Sequence, residues 1–343
     1  MKRPFFSIQK YACRLLMTAV CGAMMTSCDN ILDNGYGDCE VEYRVKFKYD
    51  YNMKYADAFP HEVRSVTLYA FDESGRFVHQ QTEQGEVLAD KSYTMLLELP
   101  KGDYDFITWA GLGNQESFGV PQLTAGTSTM QDLTCLMKRT QVEDENRVGY
   151  LNPLWHGKVD ANIPSYSRVA ETNIIEVPLV KNTNTFRIIL QQLSEEPIDV
   201  ENFEFKITDC NGFMAHDNSL KEDEPLVYRP YHLATGSTEA GGSGEEKLNV
   251  AVAELSTGRL MADAKTELTI TNKQSGEVVF SIPLIKYLSV YKTVANYQMP
   301  LQEFLDREDE YVLHFFLNGG EWLKTQIIIN DWIVRYNDIT AEF

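Results

Sequence analysis

Cys28 carries the clearest covalent chemistry in this chain. It ends Met25-Thr26-Ser27-Cys28, a medium apolar residue, two small residues and a thiol, and the polar pair Asp29-Asn30 follows at once. That order matches the lipobox pattern, in which the thiol is acylated and the cysteine becomes the first mature residue. Met25 stands where leucine is usual. Cys13 and Cys21 lie upstream and lack the polar sequence that follows Cys28. Cys39, Cys135 and Cys210 remain. In an oxidising compartment three thiols leave one pair and one single, and spacing alone leaves all three pairings open.

The other reactive residue types form no pattern that points to catalysis. The six histidines include no HExxH or other metal spacing. His156, in Leu154-Trp155-His156-Gly157, reads as a hydrogen-bonded histidine beside a packed tryptophan, and His314 reads as a strand residue. No GxSxG elbow is present. Gly111-Leu112-Gly113 lacks the third glycine and the βαβ context of a dinucleotide loop. Asp209-Cys210-Asn211-Gly212 lacks the later ligands of an EF-hand, and Glu143-Asp144-Glu145 reads as a solvated acidic loop. The expectation is therefore a protein that is not an enzyme and carries no cofactor or metal. A hydrolase would need a cleft with a perturbed acid pair. A binding module would place an aromatic such as Trp155 or Tyr231 on an exposed loop.

The surroundings of Cys28 fix where such a protein would work. Lys2, Arg3, Lys10 and Arg14 make a basic start, and Leu15 to Thr26 is a short apolar core, the pattern of a secretory signal over residues 1–27. A membrane-spanning helix needs about 20 apolar residues, and no segment supplies them. Residues 28–38 then read as a lipidated tether. The net charge of −19 repels nucleic acid and anionic lipid, so nucleic-acid binding is excluded as a function class.

The length of 343 residues suggests two domains, and the 18 tyrosines and 17 phenylalanines favour strands. Val41 to Met53 alternates apolar and polar residues, predicting one long half-buried strand. Ser65–Asp72 and Arg76–Thr82 flank Glu73-Ser74-Gly75 and read as a hairpin. Tyr93–Leu99 and Tyr104–Ala110 are strands around a turn at Pro100–Asp103. Further strands are read at Thr185–Leu193, Phe203–Asp209, Glu267–Asn272, Glu277–Ile285, Tyr311–Leu317 and Lys324–Tyr336, with a short helix at Leu301–Asp309 and a flexible loop at Thr235–Lys247. The reading is all-β, with an N-terminal β-sandwich over 39–180 and a C-terminal one over 181–343.

Taken in order, several stretches are similar to a known family. They are Cys39–Val78, Lys101–Gly111, Leu133–Arg139, Leu154–Gly157, Val177–Leu190 and Glu308–Leu317. Together they resemble the FimB-like, minor-fimbrium anchor proteins of the type V pili of Bacteroidales. The resemblance implies two tandem transthyretin-like (Greek-key) sandwiches on a lipoprotein that is anchored in the outer membrane at the base of a pilus. It implies stalk subunits as partners, joined by β-strand exchange, and a limit on pilus length. It also implies a Cys39–Cys135 disulfide. For strand exchange the candidates are Ile327, Ile329, Trp332, Val334 and Tyr336, in a C-terminal run that equally suits a last core strand. The alternative function is a surface lipoprotein that binds glycan or protein.

Overall fold

The computed structural model describes residues 42–113, 116–163, 173–194, 196–239, 247–319 and 321–335. Cys28, Cys39 and Tyr336 lie outside them. The described residues from Tyr43 to Ile163 and from Ile174 to Arg335 form one compact unit.

The first half supplies β1 (Tyr43–Lys48), helix α1 (Phe59–Glu62), β2 (Ser65–Asp72), β3 (Phe77–Gln84), β4 (Met95–Leu96) and β5 (Gly102–Ala110). It continues with β6 (Phe118–Gly119), β7 (Cys135–Met137), β8 (Thr140–Val142), β9 (Glu145–Val148), β10 (Trp155–Ile163) and β11 (Asn173–Lys181). The second half adds β12 (Thr183–Gln192), β13 (Phe203–Asp209), β14 (Phe213–Met214), β15 (Leu226–Tyr228), β16 (His232–Glu239) and β17 (Lys247–Gly258). Then come β18 (Glu267–Asn272), β19 (Val278–Pro283), helices α2 (Leu284–Val294) and α3 (Leu301–Arg307), β20 (Glu310–Asn318), β21 (Glu321–Ile329) and β22 (Trp332–Arg335).

Among the described residues four sheets form, and the all-β class holds. A seven-stranded sheet runs β3-β2-β5-β10-β11-β1-β4. Two six-stranded sheets run β16-β17-β12-β20-β21-β22 and β19-β18-β13-β15-β9-β8, and a small one runs β14-β7-β6. The two six-stranded sheets bury their facing sides together, and the rings of Phe280 on β19 and Phe315 on β20 lie 4.4 Å apart. The strands of the two halves are interleaved. β8 and β9 join the second half through a parallel pairing of β9 with β15, and β14 pairs with β7. One apolar cluster runs from Tyr69, Phe71, Ile107 and Trp109 through Cys135 to Phe186, Phe205, Ile270 and Phe315. The opposite face of β2, with Val66, Leu68 and Ala70, is buried too. Burial on both faces explains why Ser65–Asp72 reads as a nearly continuous apolar run.

Local chemistry accounts for the places where the elements depart from expectation. The alternating strand stops at Lys48 rather than Met53, because polar side chains there bend the chain. Asp57 Oδ1 accepts from the Tyr49 and Phe59 N–H groups, and the Asn52 amide donates to the Tyr49 and Ala56 carbonyls. The strand expected at Tyr93–Leu99 shrinks to Met95–Leu96, which pairs with β1. The strand expected to reach Ile285 ends at Pro283. Leu284, Leu288 and Tyr291 then recur at helical spacing and bury one face of α2. The short helix at 301 is present as α3.

The C-terminal run is two strands, not one. Asn330 and Asp331 have φ of 45° and 70°, and Ile329 faces Trp332 across them. Two residues at positive φ make a tight hairpin turn, and Asn and Asp are the non-glycine residues that tolerate it best. Glu143 and Asp144, at 49° and 64°, turn β8 into β9 the same way.

Candidate functional site

The hairpin sorts the strand-exchange candidates. Ile327 and Ile329 are buried in β21, with β20 on one side and β22 on the other. They belong to the core. Trp332 and Val334 stand on β22, opposite Ile329 and Ile327. β22 is the outermost strand of its sheet, so among the described residues no strand pairs with its outer edge. Directly opposed residues share a face. Trp332 therefore continues the apolar face of Ile329 outward, to where it is 46% exposed. Ile333, on the other face, is 50% exposed. A sheet edge with unpaired backbone groups and large apolar side chains on both faces can accept an added strand. The turn that presents it is fastened to β20: Asn330 Oδ1 accepts from the Val312 N–H at 2.6 Å, and its Nδ2 donates to the Glu310 carbonyl at 3.0 Å.

A second set of polar groups locks the two halves. Lys181 Nζ bonds Glu62 Oε2 at 3.1 Å, also bonds Asp309 Oδ2, and lies 5.5 Å from the centre of the Trp155 ring. Burial opposes its charge, but Asp309 and Glu62 outweigh that and raise its pKa. The Arg307 guanidinium lies 3.9 Å from the ring centre of Tyr51, and the Met53 N–H donates to the Arg307 carbonyl at 3.1 Å. Within the second half, Arg259 forms a two-pronged pair with Asp306 at 2.8 and 2.9 Å, and Asn182 and Asn218 exchange amide bonds. Burial pushes the Glu308 carboxyl up to about 7, against the Glu310 N–H that donates to it and with the Asp309 charge adding to the rise.

His156 Nε2–H donates to the His216 carbonyl at 2.9 Å, and its ring meets Trp109 at 4.7 Å, as the packed reading expects. Burial pushes its pKa down to about 4, so it is neutral near pH 7. Trp155 is buried, so it is not the exposed aromatic a binding loop would carry, whereas Tyr231 is 36% exposed beside Tyr150. Cys135 is buried in β7 and has no disulfide to another described residue, and Cys39, its expected partner, lies outside the described residues. Among the described residues no group of His, Cys, Asp and Glu is placed to hold a metal ion, and no helix is long and apolar enough to cross a membrane.

Comparison with known proteins decides the family. The model of the fimbrillin-A associated anchor proteins Mfa1 and Mfa2 matches residues 36–338. This chain belongs to that family. Over 342 residues it is 21% identical to the minor fimbrium anchoring subunit Mfa2 of Porphyromonas gingivalis, covering 98% of this chain and 99% of that one. The crystal structure of a candidate adhesin from Bacteroides thetaiotaomicron superposes with a TM-score of 0.76 at 37% identity, over 86% of this chain and 97% of that one. The structure of the fimbrial anchor protein Mfa2 from P. gingivalis shares the fold at a TM-score of 0.60 and 17% identity, over 86% and 98%. Membership of the anchor family makes this a fimbrium-associated protein.

Proposed function

We propose that this protein is a lipid-anchored subunit at the base of a pilus. Cys28, acylated after loss of residues 1–27, fixes it to the outer membrane. Several acyl chains, each contributing about 0.8 kcal/mol per buried CH₂, suffice for stable attachment. The stalk partner joins at the outer edge of β22, where an added strand gains backbone hydrogen bonds and covers Trp332. An anchored subunit ends the polymer at the membrane and so limits its length. The observation that carries this reading is that, among the described residues, no strand pairs with the outer edge of β22, and Trp332 and Ile333 are exposed on its two faces. The family's paired cysteine positions support a Cys39–Cys135 bridge, which non-reducing peptide mapping tests.

Deletion in the native host followed by electron microscopy tests the function. Longer or detached fibres are the expected outcome, and unchanged length and attachment overturn the reading. Cys28→Ala is expected to move the protein from the membrane to the soluble fraction. A Trp332→Ala/Ile333→Lys double variant is expected to remain membrane-bound and folded while losing the stalk subunit in pull-downs. Retention of the stalk subunit would remove β22 from the interface.

A further inference from the structure

The hairpin of β2 and β3 carries a second surface feature, on a different sheet from β22. Its register sets Ser65 opposite Gln84, Thr67 opposite Thr82 and Tyr69 opposite Gln80. Alternation puts all six on one face, a grid two strands wide and three residues long. Leu112, Gly113, Phe118, Val120, Pro121 and Gln122 line the other side of a cleft of about 430 Å³ over this face.

The cleft is pre-formed. The Gly111 N–H donates to the Ser65 carbonyl at 2.9 Å, and the Gly113 N–H donates to Ser65 Oγ at 2.8 Å. Gly111 has φ of +96°, and a Cβ there would lie 2.0 Å from the Pro153 carbonyl oxygen, so this wall requires glycine. Thr67 and Thr82 hydroxyls bond each other at 2.9 Å.

Its chemistry is unusual for so acidic a chain. None of the side chains lining it is ionisable near neutral pH. Three other surface cavities all contain charged residues, among them Lys265 and Glu267 in one, Lys292 in another and Asp105 and Asp160 in the third. The amides of Gln80, Gln84 and Gln122 make no hydrogen bonds to other described residues and sit at the rim. Each amide offers both donors and an acceptor. Tyr69 and Phe118 form an apolar floor.

Uncommitted rim amides over an aromatic floor, without charge, match a ligand dense in hydroxyl groups and itself uncharged. We propose that this cleft binds a neutral glycan. Gln80 and Gln84 hold its hydroxyls, and their spacing of about 13 Å along the strand accommodates a short oligosaccharide. The surrounding negative surface disfavours acidic polysaccharides. The site lies on the seven-stranded sheet, whereas β22 belongs to another sheet, so binding here is separable from assembly.

Affinity electrophoresis of the full chain tests this, with α-mannan, β-glucan, dextran and xylan as neutral probes and polygalacturonate as the acidic one. At least one neutral probe is expected to retard the protein. Gln80→Ala/Gln84→Ala, both at exposed positions, is expected to weaken that retardation by roughly tenfold, the scale of two lost neutral hydrogen bonds. Gln81→Ala, on the other face of β3, is expected to leave it unchanged. Three results would overturn the site: no retardation by any neutral probe, equal retardation of the double variant and the native chain, or retardation by polygalacturonate as strong as by the neutral probes.

Discussion

Lys181 is the residue on which the junction turns. Its side chain is 13% exposed and faces Asp309 and Glu62. Removing one partner from a buried pair leaves the other charges uncompensated, so Lys181→Met is expected to cost about 3 kcal/mol in denaturant unfolding. Two neighbours titrate in opposite senses. Glu308, raised to about 7, holds a proton in the folded chain that the unfolded chain releases nearer pH 4.5. Stability therefore falls as pH rises between these values, and Glu308→Gln is expected to flatten the fall. His156, lowered to about 4, binds its proton less readily folded than unfolded. Its contribution is complete above about pH 6.5 and disappears as pH falls towards 4. Between about pH 4.5 and 6.5 the two slopes oppose each other in the native chain, so thermal melts of Glu308→Gln from pH 4 to 8 are expected to expose the His156 rise alone, and a Glu308→Gln profile identical to the native one would remove the carboxylate from the account.

At the scale of elements, the C-terminal hairpin depends on its turn. Asn330→Ala removes two hydrogen bonds and forces alanine into left-handed backbone, so it is expected to cost about 2 kcal/mol and to loosen β22 in hydrogen exchange. The sequence shows much of the sheet structure directly. Phe203–Asp209 and Glu267–Asn272 are strands with the bounds their alternation predicts. The hairpins at Gly75 and Gly276 share one device, a glycine at positive φ beside an Asp72 or Asn272 side chain that accepts backbone N–H groups. The C-terminal fold-back is harder to see, because Asn330-Asp331 lacks the glycine that usually marks a two-residue turn. Helix α2 hides because the apolar run of β19 continues straight into it. Of the candidate site, the proposed lipobox can be read from sequence alone because it is contiguous, and it lies outside the described residues. Exposure of Trp332 is not, because it depends on which distant strands lie alongside. The polar grid is half visible in the spacing of Gln80, Thr82 and Gln84, and its other half follows only from hairpin register.

The molecule as a whole shares one large core between its halves, with β8 and β9 inserted into the second half's sheet. The full chain is therefore expected to unfold in a single calorimetric transition. Residues 39–180 alone are expected to aggregate or to melt without one, since β9 would lose β15 and Trp109 its cover. Two well-separated transitions would show that the shared core does not couple the halves. The pairing of β12 with β20 has a consequence for a protein held at one end and tugged at the other. These strands run parallel from Thr185 beside Glu310 to Gln192 beside Leu317. The start of β12 leads back to the first half and the end of β20 leads on to β21 and β22. Tension between Cys28 and a stalk seated on β22 would thus pull the two strands along their lengths in opposite directions. Their hydrogen bonds would be sheared together rather than peeled open one at a time, and such an arrangement yields only when the whole row gives way.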